Sequence, residues 1–161
     1  MFTRRMVGVG GIAGAVVALC RGAAWAEATR QFPVAFSDAE WRKRLTPEQY
    51  DVLRRSGTER PFSSALNDEH RRGVFACAGC QAQLFSSAAK FDSGTGWPSF
   101  WEPLAGSVGV EDDRTLGMTR SAVHCSRCGG HLGHVFNDGP KPTGLRYCMN
   151  GAAMRFEPVA A

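Results

Sequence analysis

Two C-x-x-C pairs constrain the fold of this chain more than any other feature of its sequence. Cys77 and Cys80 form the first pair, and Cys125 and Cys128 form the second about forty-five residues later. Each pair fits a tight turn that aims both sulfurs at one point, and two such turns complete the tetrahedral S₄ shell that zinc prefers. Because a closed shell leaves no open coordination position, the spacing predicts one structural zinc ion per chain, which would tie the two halves of the domain together.

The cysteine spacing is also compatible with oxidised sulfurs. The alternatives to zinc are two vicinal redox disulfides, or two cross-bridges formed in an oxidising compartment. A thioredoxin-type redox pair expects a βαβ context, which is missing here. Gly129 and Gly130 directly follow the second pair and would let the backbone turn back towards a metal. These observations favour zinc.

The first twenty-six residues have the layout of an export signal. Arg4 and Arg5 precede a mild apolar run, Val7–Leu19, and the segment closes on the small-x-small pattern Ala24-Trp25-Ala26. This order predicts a secretory signal peptide over residues 1–26. The apolar run is shorter than the roughly 20 residues that a membrane span needs.

The adjacent arginines favour a twin-arginine signal, which exports proteins that have already folded and would let zinc bind in the reducing cytosol. An ordinary export signal is the alternative, and a lipoprotein signal at Cys20 is disfavoured because Leu19 stands where a small residue is usual. We therefore expect an exported, periplasmic protein with one domain over residues 27–161. Without Arg4, Arg5 and Arg21, the basic residues fall from 19 to 16 against 15 acids, so no basic face for nucleic acid is expected.

The residues after the signal predict a mainly β (α+β) domain whose helices are confined to its N-terminal end. Capping boxes at Ser37 and Thr46 predict two short helices, the second of which ends at Gly57. After Gly73 the sequence changes to brief apolar runs separated by turn residues, which are typical of antiparallel strands. These runs are Val74–Ala76, Gln83–Phe85, Val108–Val110, Ser121–His124, His134–Phe136 and Met154–Phe156.

Cys148 is the one cysteine that the signal and the metal leave unassigned, because Cys20 departs with the signal. A buried and inert cysteine is the alternative interpretation. Arg146 and Asn150 each lie two positions from Cys148 and share its face if the segment is a strand. A nearby cation favours the thiolate, which is the nucleophilic form, and an amide can donate to an oxygen or to a thiolate. The neighbours therefore favour a reactive thiol.

His131, His134 and Trp97 are candidates with a weaker signal. Either histidine could be a core residue or a neighbour of the metal. The four-cysteine set needs no histidine, however, whereas the remaining thiol needs a proton donor, and this favours a catalytic role. Trp97 lies in a stretch with glycines and a proline, and its ring suits either the core or the wall of a site for a methyl-bearing ligand.

Five further stretches carry a resemblance to a known family. They are Gly57–Phe62 (GTERPF), Lys90–Phe100 (KFDSGTGWPSF), His131–Phe136 (HLGHVF), Asp138–Pro140 (DGP) and Pro142–Asn150 (PTGLRYCMN). Together with both C-x-x-C pairs, in the expected order, they resemble the type B, R-specific methionine sulfoxide reductases from about Phe36 to Pro158. Enzymes of this class restore one epimer of methionine sulfoxide to methionine.

The resemblance implies a pair of antiparallel sheets, barrel-like in arrangement, with N-terminal helices. It also implies that Cys148 is the nucleophile, which attacks the sulfoxide sulfur and is left as a sulfenic acid. His134, with His131, would supply the proton that the oxygen needs. Asn150 would help to orient that oxygen.

The remaining implied roles concern the substrate and the charge of the thiol. Trp97 would hold the ε-methyl group of the substrate, and Phe156 is a second candidate for substrate binding. Arg146, steadied by Asp138, would keep Cys148 ionised. The expected substrate is methionine sulfoxide in oxidised proteins or peptides, with no organic cofactor and no nucleic-acid partner.

Two positions depart from the family pattern. Thr95 stands where many members carry a resolving cysteine, so we predict that an external thiol, a thioredoxin-like domain or a small dithiol, reduces the sulfenic acid. Gln81 follows Cys80, where such zinc turns often have glycine. Nothing in the sequence demands more than a monomer. Competing functions are a non-catalytic zinc-ribbon binding module and a Cys–His hydrolase, in which Cys148 would attack a carbonyl and His134 would act as base.

Overall fold

The computed structural model describes residues 31–114 and 119–159, and this part of the chain contains two short α-helices and nine strands. The predicted signal peptide, residues 1–26, lies outside the described residues. The helices are α1 (Asp38–Arg44) and α2 (Pro47–Arg55). The strands are β1 (Gly73–Cys77), β2 (Gln83–Ser86), β3 (Lys90–Phe91), β4 (Ser99–Phe100), β5 (Val108–Asp113), β6 (Arg120–Cys125), β7 (His131–Phe136), β8 (Arg146–Met149) and β9 (Met154–Pro158).

Both helices begin where the capping boxes predict. In each, the hydroxyl of the cap residue, Ser37 or Thr46, accepts a hydrogen bond from the amide three residues on, whose own side chain accepts from the amide of the cap. The end of α2 corrects the prediction, because Ser56 and not Gly57 takes the left-handed conformation, at φ 56°. The Gly57 amide then donates to the Asp51 carbonyl at 3.0 Å. Neither helix is long and apolar enough to cross a membrane.

The strands form two antiparallel sheets, as predicted, in the orders β2-β1-β9 and β3-β4-β8-β7-β6-β5. The barrel-like arrangement is not found, because β3 and β5 are the two edges of the larger sheet and do not pair with each other within the described residues. Strands β3 and β4 have two residues each, so the β3 edge offers few backbone groups for closure. Because they are so short, neither strand was predicted from the sequence pattern.

Aromatic rings join the two sheets into one core. Phe75 and Phe85 from the smaller sheet meet Phe100 of β4, with ring centroids 4.9 Å and 4.4 Å apart. All three side chains are fully buried. Burial of each ring stabilises the fold by about 1.5–3 kcal/mol, and this packing fixes the smaller sheet against the face of the larger one.

The helices pack on the turns that carry the C-x-x-C pairs. Trp41 and Leu53 are buried, and a Cβ at Gly79 would lie 3.4 Å from the Trp41 ring and 3.5 Å from Leu53. From α2, Arg54 donates to the carbonyl of Cys128 at 3.1 Å. The N-terminal helices therefore cover the turns that hold the clustered cysteines.

Candidate functional site

The four cysteines of the C-x-x-C pairs converge on one point. Their sulfurs all lie within 4.8 Å of one another, with Cys77 3.8 Å from Cys128 and Cys80 3.6 Å from Cys125. A tetrahedral zinc ion with Zn–S bonds of about 2.3 Å needs sulfurs about 3.8 Å apart, whereas a disulfide needs about 2.05 Å. All four cysteines are free. The donor set therefore fits zinc and does not form the disulfides that the spacing also allowed.

The two turns have the same backbone pattern. The Cys77 carbonyl accepts from the Gln81 amide and the Cys125 carbonyl accepts from the Gly129 amide, both at 2.9 Å. Gln81 and Gly129 occupy equivalent places in the left-handed region, at φ 64° and φ 69°. Gln81 thus takes the left-handed conformation that Gly129 takes in the second turn. This conformation is less favourable for a residue with a Cβ than for glycine. One turn joins β1 to β2 and the other joins β6 to β7, so a shared metal would link the two sheets.

Cys148 lies apart from this cluster, in the middle of the larger sheet. On β8 it is half-buried, and it is paired with Ser99 of β4 on one side and with His134 of β7 on the other. Cys148 lines a cavity of about 140 Å³. The cavity is lined by residues from β6, β7 and β8, from the two loops before β1 and β4, and from the turn after β8: Thr58, Trp97, Arg120, Gly133, His134, Phe136, Cys148 and Asn150.

An acidic residue that the sequence analysis did not single out orients His134. The Oδ2 atom of Asp113 lies 2.9 Å from His134 Nε2 and accepts from Arg120 at 2.7 Å. Asp113 pairs with Arg120 in the β5–β6 register, and Ala122, two residues on, pairs with His134. The carboxylate can therefore fix the tautomer and direction of the imidazole, while the Arg120 guanidinium offsets its charge.

A bulge in β7 brings the two predicted histidines together. Gly133 pairs with Val123 and His131 with His124, so the register skips Leu132. Strict alternation would place His131 and His134 on opposite faces, but with the extra residue their ring centroids are 5.3 Å apart. Burial, and next the neighbouring His134, lower the pKa of His131 to about 4. His131 is therefore neutral at pH 7.

The predicted pairing of Arg146 with Asp138 is confirmed. Two parallel hydrogen bonds of 2.9 Å and 2.8 Å join the guanidinium to the carboxylate. The Asp138 carboxylate, with a smaller contribution from Cys148, raises the pKa of Arg146. The guanidinium stacks over Phe136, 4.4 Å from the ring centroid. A fixed, permanent cation thus interacts with Cys148.

Asn150 and Trp97 are held by a third residue that the sequence analysis did not identify, Glu59. The Glu59 amide donates to Asn150 Oδ1 at 3.0 Å, and its carbonyl accepts from the Trp97 indole at 3.2 Å. Its buried carboxylate accepts from the amides of Gly151 and Ala152 at 2.6 Å and 2.7 Å. Burial raises the pKa of Glu59 against these two hydrogen bonds. Asn150 Nδ2 donates one hydrogen to Leu132, so one remains for a ligand.

One glycine and one threonine complete the surroundings of Cys148. A Cβ at Gly133 would meet the Cys148 carbonyl oxygen at 2.1 Å, so only glycine lets β7 and β8 approach so closely. Thr95, in the predicted resolving position, places its hydroxyl 3.8 Å from the Cys148 sulfur. Among the described residues, the only other cysteines belong to the cluster.

The chain matches the model of a known protein family over most of its length. The family model described as the SelR domain matches residues 45–158, which include all four clustered cysteines and the whole lining of the Cys148 cavity. The chain belongs to the SelR domain family.

Curated relatives of the SelR domain align over most of their length. A protein of Agrobacterium fabrum is 56% identical over 124 residues, which are 76% of this chain and 92% of the relative. One of Leptospira interrogans is 54% identical over 78% of this chain and 97% of its own. One of Thiobacillus denitrificans is 58% identical over 76% of this chain and 93% of its own. Each is named peptide methionine sulfoxide reductase MsrB.

The SelR domain gathers most, but not all, of the predicted site residues. Trp97, His134, Cys148 and Asn150 line one cavity, and Arg146 with Asp138 lies beside it. Phe156 does not: it is on β9 of the smaller sheet, where its ring packs 5.1 Å from Phe75 and under Arg71. Phe156 therefore belongs to the apolar face of β9 that packs into the core. Asp113 and Arg120 gave no local signal, and Glu59, although it lies in the Gly57–Phe62 stretch, was given no role, because only the sheet register and long-range hydrogen bonds bring these residues to the site.

Proposed function

We propose that this chain reduces the R epimer of methionine sulfoxide, in proteins and peptides, to methionine. Membership of the SelR family and relatives at 54–58% identity that carry this enzyme name support methionine sulfoxide reduction. The observation that carries the proposal to particular residues is the cavity in which Cys148 faces Trp97, His134 and Asn150. Its volume of about 140 Å³ suits one side chain.

Cys148 begins the reaction as a thiolate, which the Arg146 guanidinium stabilises. The thiolate attacks the sulfoxide sulfur while the methyl group packs against Trp97. A new S–S bond forms, the S–O bond of the protonated sulfoxide breaks and releases water, and a water oxygen then attacks the Cys148 sulfur and displaces methionine. Over these steps the substrate sulfur gains two electrons and the Cys148 sulfur loses two, which leaves a sulfenic acid.

His134 supplies the proton that the sulfoxide oxygen requires. Asp113 holds its ring in place, so one ring nitrogen can face the carboxylate and the other can face the cavity. His131 is buried and neutral at pH 7 because its pKa is about 4, and so we assign it the role of packing against His134. The remaining amide hydrogen of Asn150 donates to the substrate oxygen.

An external thiol returns Cys148 to its starting state. One thiol attacks the sulfenic sulfur and releases water, which gives a mixed disulfide, and a second thiol attacks that disulfide and releases Cys148. The two thiols are oxidised to a disulfide, which balances the two electrons that methionine sulfoxide received. A thioredoxin-like protein or a small dithiol is the expected donor, because Thr95 cannot act as a resolving thiol. The chain is proposed to work as a monomer.

The four clustered cysteines are proposed to hold one zinc ion with a structural role. The sulfur separations and the equivalent turns support this assignment. Bound zinc would supply a closed, redox-inert tetrahedral link between the sheets. Every catalytic step is performed by the residues around Cys148.

Residues 1–26 are proposed to export the domain to the periplasm by the twin-arginine route and to be removed after Ala26. The Arg4-Arg5 pair and the small-x-small ending support this. In a bacterium with that route, replacement of both arginines by lysine should retain the precursor in the cytoplasm. N-terminal sequencing of the exported protein should begin at Glu27, and export of the doubly substituted chain at the normal rate would contradict the twin-arginine assignment.

A stereospecific assay with dithiothreitol tests the reductase function. The R epimer of a methionine sulfoxide peptide should be turned over and the S epimer should not. Cys148→Ser should lower turnover by at least about 10³-fold, because the nucleophile itself is lost. After one equivalent of substrate without reductant, mass spectrometry should find one oxygen on Cys148. If the intact enzyme leaves the R epimer unchanged, the reductase function is refuted. An acyl adduct on Cys148 would indicate a hydrolase instead. An intramolecular disulfide to Cys148 would refute regeneration by an external thiol.

A further inference from the structure

Three hydroxyl groups form a chain that ends at the Cys148 sulfur. The Ser99 hydroxyl lies 2.7 Å from that of Ser93, which lies 2.8 Å from that of Thr95. The Thr95 Oγ1 is 3.8 Å from Cys148 Sγ. At the far end, Ser99 can donate to the carbonyl of Trp97 at 3.1 Å. Ser99 is fully buried and is the β4 partner of Cys148, so the hydroxyl chain leaves the sheet beside the nucleophile and returns to it.

The direction of the three hydroxyl protons depends on the charge of Cys148. A hydroxyl donates one proton and also accepts, whereas a carbonyl or a thiolate only accepts. When Cys148 is protonated, its S–H can donate to Thr95, and every hydroxyl proton can point towards the Trp97 carbonyl. When Cys148 is a thiolate, the three protons turn round and Thr95 donates to Sγ. Neither charge state leaves a donor of the chain without an acceptor, and such a donor would be costly where it is buried.

We propose that Thr95 is a further catalytic residue, whose hydroxyl donates a hydrogen bond to the Cys148 thiolate, and that Ser93 and Ser99 are positioning residues that aim it. This rests on the proposed function, since it describes how the nucleophile of that reaction is kept ionised. Hydrogen bonds to an ionised group are about twice as strong as those between neutral groups. A cysteine at position 95 would donate only weakly, so the threonine supplies something that a resolving thiol does not.

Charged and titratable side chains also face the nucleophile from the neighbouring strands. Arg146 interacts with it from β8, His134 is paired with it on β7, and Arg120 lines the same cavity from β6. Strand β4 presents only the uncharged Ser99 at this level. A substitution that removes one hydroxyl leaves these groups in place, so a change in the reactivity of the thiol can be assigned to the hydroxyl.

The test measures the rate at which iodoacetamide alkylates Cys148 as a function of pH, in the zinc-loaded chain, with the labelled site identified by mass spectrometry. In Thr95→Val the midpoint of the rate profile should rise by about one pH unit, so that alkylation is about tenfold slower at pH values below both midpoints. Thr95→Ser keeps the hydroxyl and should stay within about twofold of the wild type. Ser93→Ala keeps the Thr95 hydroxyl but removes the hydroxyl that bonds to it. Its alkylation rate should lie between those of Thr95→Val and Thr95→Ser.

Thr143→Val is the matched control, because among the described residues this exposed hydroxyl bonds to Trp101 and Leu145 and to no group around Cys148. Its profile should superimpose on that of the wild type. A Thr95→Val profile equal to the wild type, or a Thr95→Ser rate as slow as that of Thr95→Val, would overturn the proposal. If Thr95→Val does not fold, as judged by zinc content and thermal unfolding, the alkylation rate of Ser93→Ala tests the proposal instead, and a rate equal to that of the wild type would overturn it. Alkylation needs no substrate, so failure of the hydroxyl role and failure of sulfoxide turnover in the wild type are separate results.

Discussion

The clustered cysteines and Cys148 carry the same functional group in surroundings of opposite kind. Each pair of the cluster comes from one hairpin turn, and three of the four side chains are almost fully buried among apolar neighbours. Cys148 is half-buried and takes its neighbours from distant parts of the chain. Within the described residues, most of the buried polar side chains lie on its side of the molecule: Glu59, Ser99, His131 and Asn150.

The difference shows what each kind of sulfur site requires. The binding energy of a metal acts through four ligand bonds, so two short turns that supply the ligands are enough to define the site. A reactive thiol instead needs a cation, an acid and an apolar wall at fixed places, and each is held by partners of its own. Glu59 and Asp113 are such partners. Substitutions in the two regions should therefore fail in different ways.

The largest effect is expected from Cys125→Ser, which removes one ligand from the cluster. Zinc binding to a structural site of this type contributes about 10 kcal/mol or more, so the variant should lose its zinc and its cooperative unfolding transition. Metal analysis and thermal unfolding measure both. Cys148→Ser is the matched control, with zinc content and melting temperature close to the wild type. Equal loss of stability in the two variants would break the division between a structural and a reactive region.

A smaller effect is expected from Glu59→Ala on the other side of the comparison. The amides of Gly151 and Ala152 lose their acceptor, which should cost about 3 kcal/mol in the free energy of unfolding by urea. The value of kcat/KM should also fall, because the turn after Asn150 loses its support. Zinc content should not change.

Glu59→Gln keeps one acceptor and should lose about half as much stability as Glu59→Ala. Glu102→Ala, at an exposed position, should stay within about 0.5 kcal/mol of the wild type. A Glu59→Ala protein as stable as the wild type would show that the carboxylate does not support the site.

The smallest effect concerns His131 and its pH dependence. Its pKa is about 4 in the folded protein and about 6.5 in the unfolded chain, so between these values the unfolded chain binds a proton that the folded protein does not. Its contribution to stability is therefore fully present above about pH 6.5 and is lost as the pH falls towards 4. Between pH 7.5 and pH 5 the wild type should lose about 2 kcal/mol more unfolding free energy than His131→Gln.

Urea unfolding of the zinc-loaded proteins at the two pH values provides this measurement. His70→Gln, at an exposed histidine, should follow the wild type. If His131→Gln shows the same pH dependence as the wild type, the buried, neutral state of His131 is wrong.

The sequence predicts the features of this molecule that are local in the chain. The capping boxes at Ser37 and Thr46, and the two C-x-x-C turns, depend on neighbours a few residues apart, and the structure confirms their positions. Six of the nine described strands were also predicted, since their apolar runs leave a pattern in the sequence, whereas β8 was not among the predicted runs although it has four residues. The two-residue strands β3 and β4 leave no such pattern, and the open edges of the larger sheet follow from pairings that no local pattern records.

Candidate site residues such as Cys148 and His134 could be named from the sequence because their side chains have characteristic chemistry, and both line one cavity. The residues that support them could not be named, because their places depend on register. Asp113 reaches His134 through two strand pairings, Glu59 reaches Asn150 across ninety-one positions, and a bulge at Leu132 turns His131 towards His134. Phe156 shows the converse, since an aromatic residue in an alternating strand is equally suited to the core.

The N-terminal end of the described chain has a practical consequence for the cluster. The Val34 amide donates to the Arg127 carbonyl at 2.9 Å, and the Phe32 ring packs against Gly129 so closely that a Cβ there would lie 2.2 Å from it. The shortest fragment that keeps this cover over the second turn therefore begins at Phe32. A protease cut after Val34 would uncover the turn beside Cys128, so the rate at which a chelator removes the proposed zinc should show where the chain has been cut.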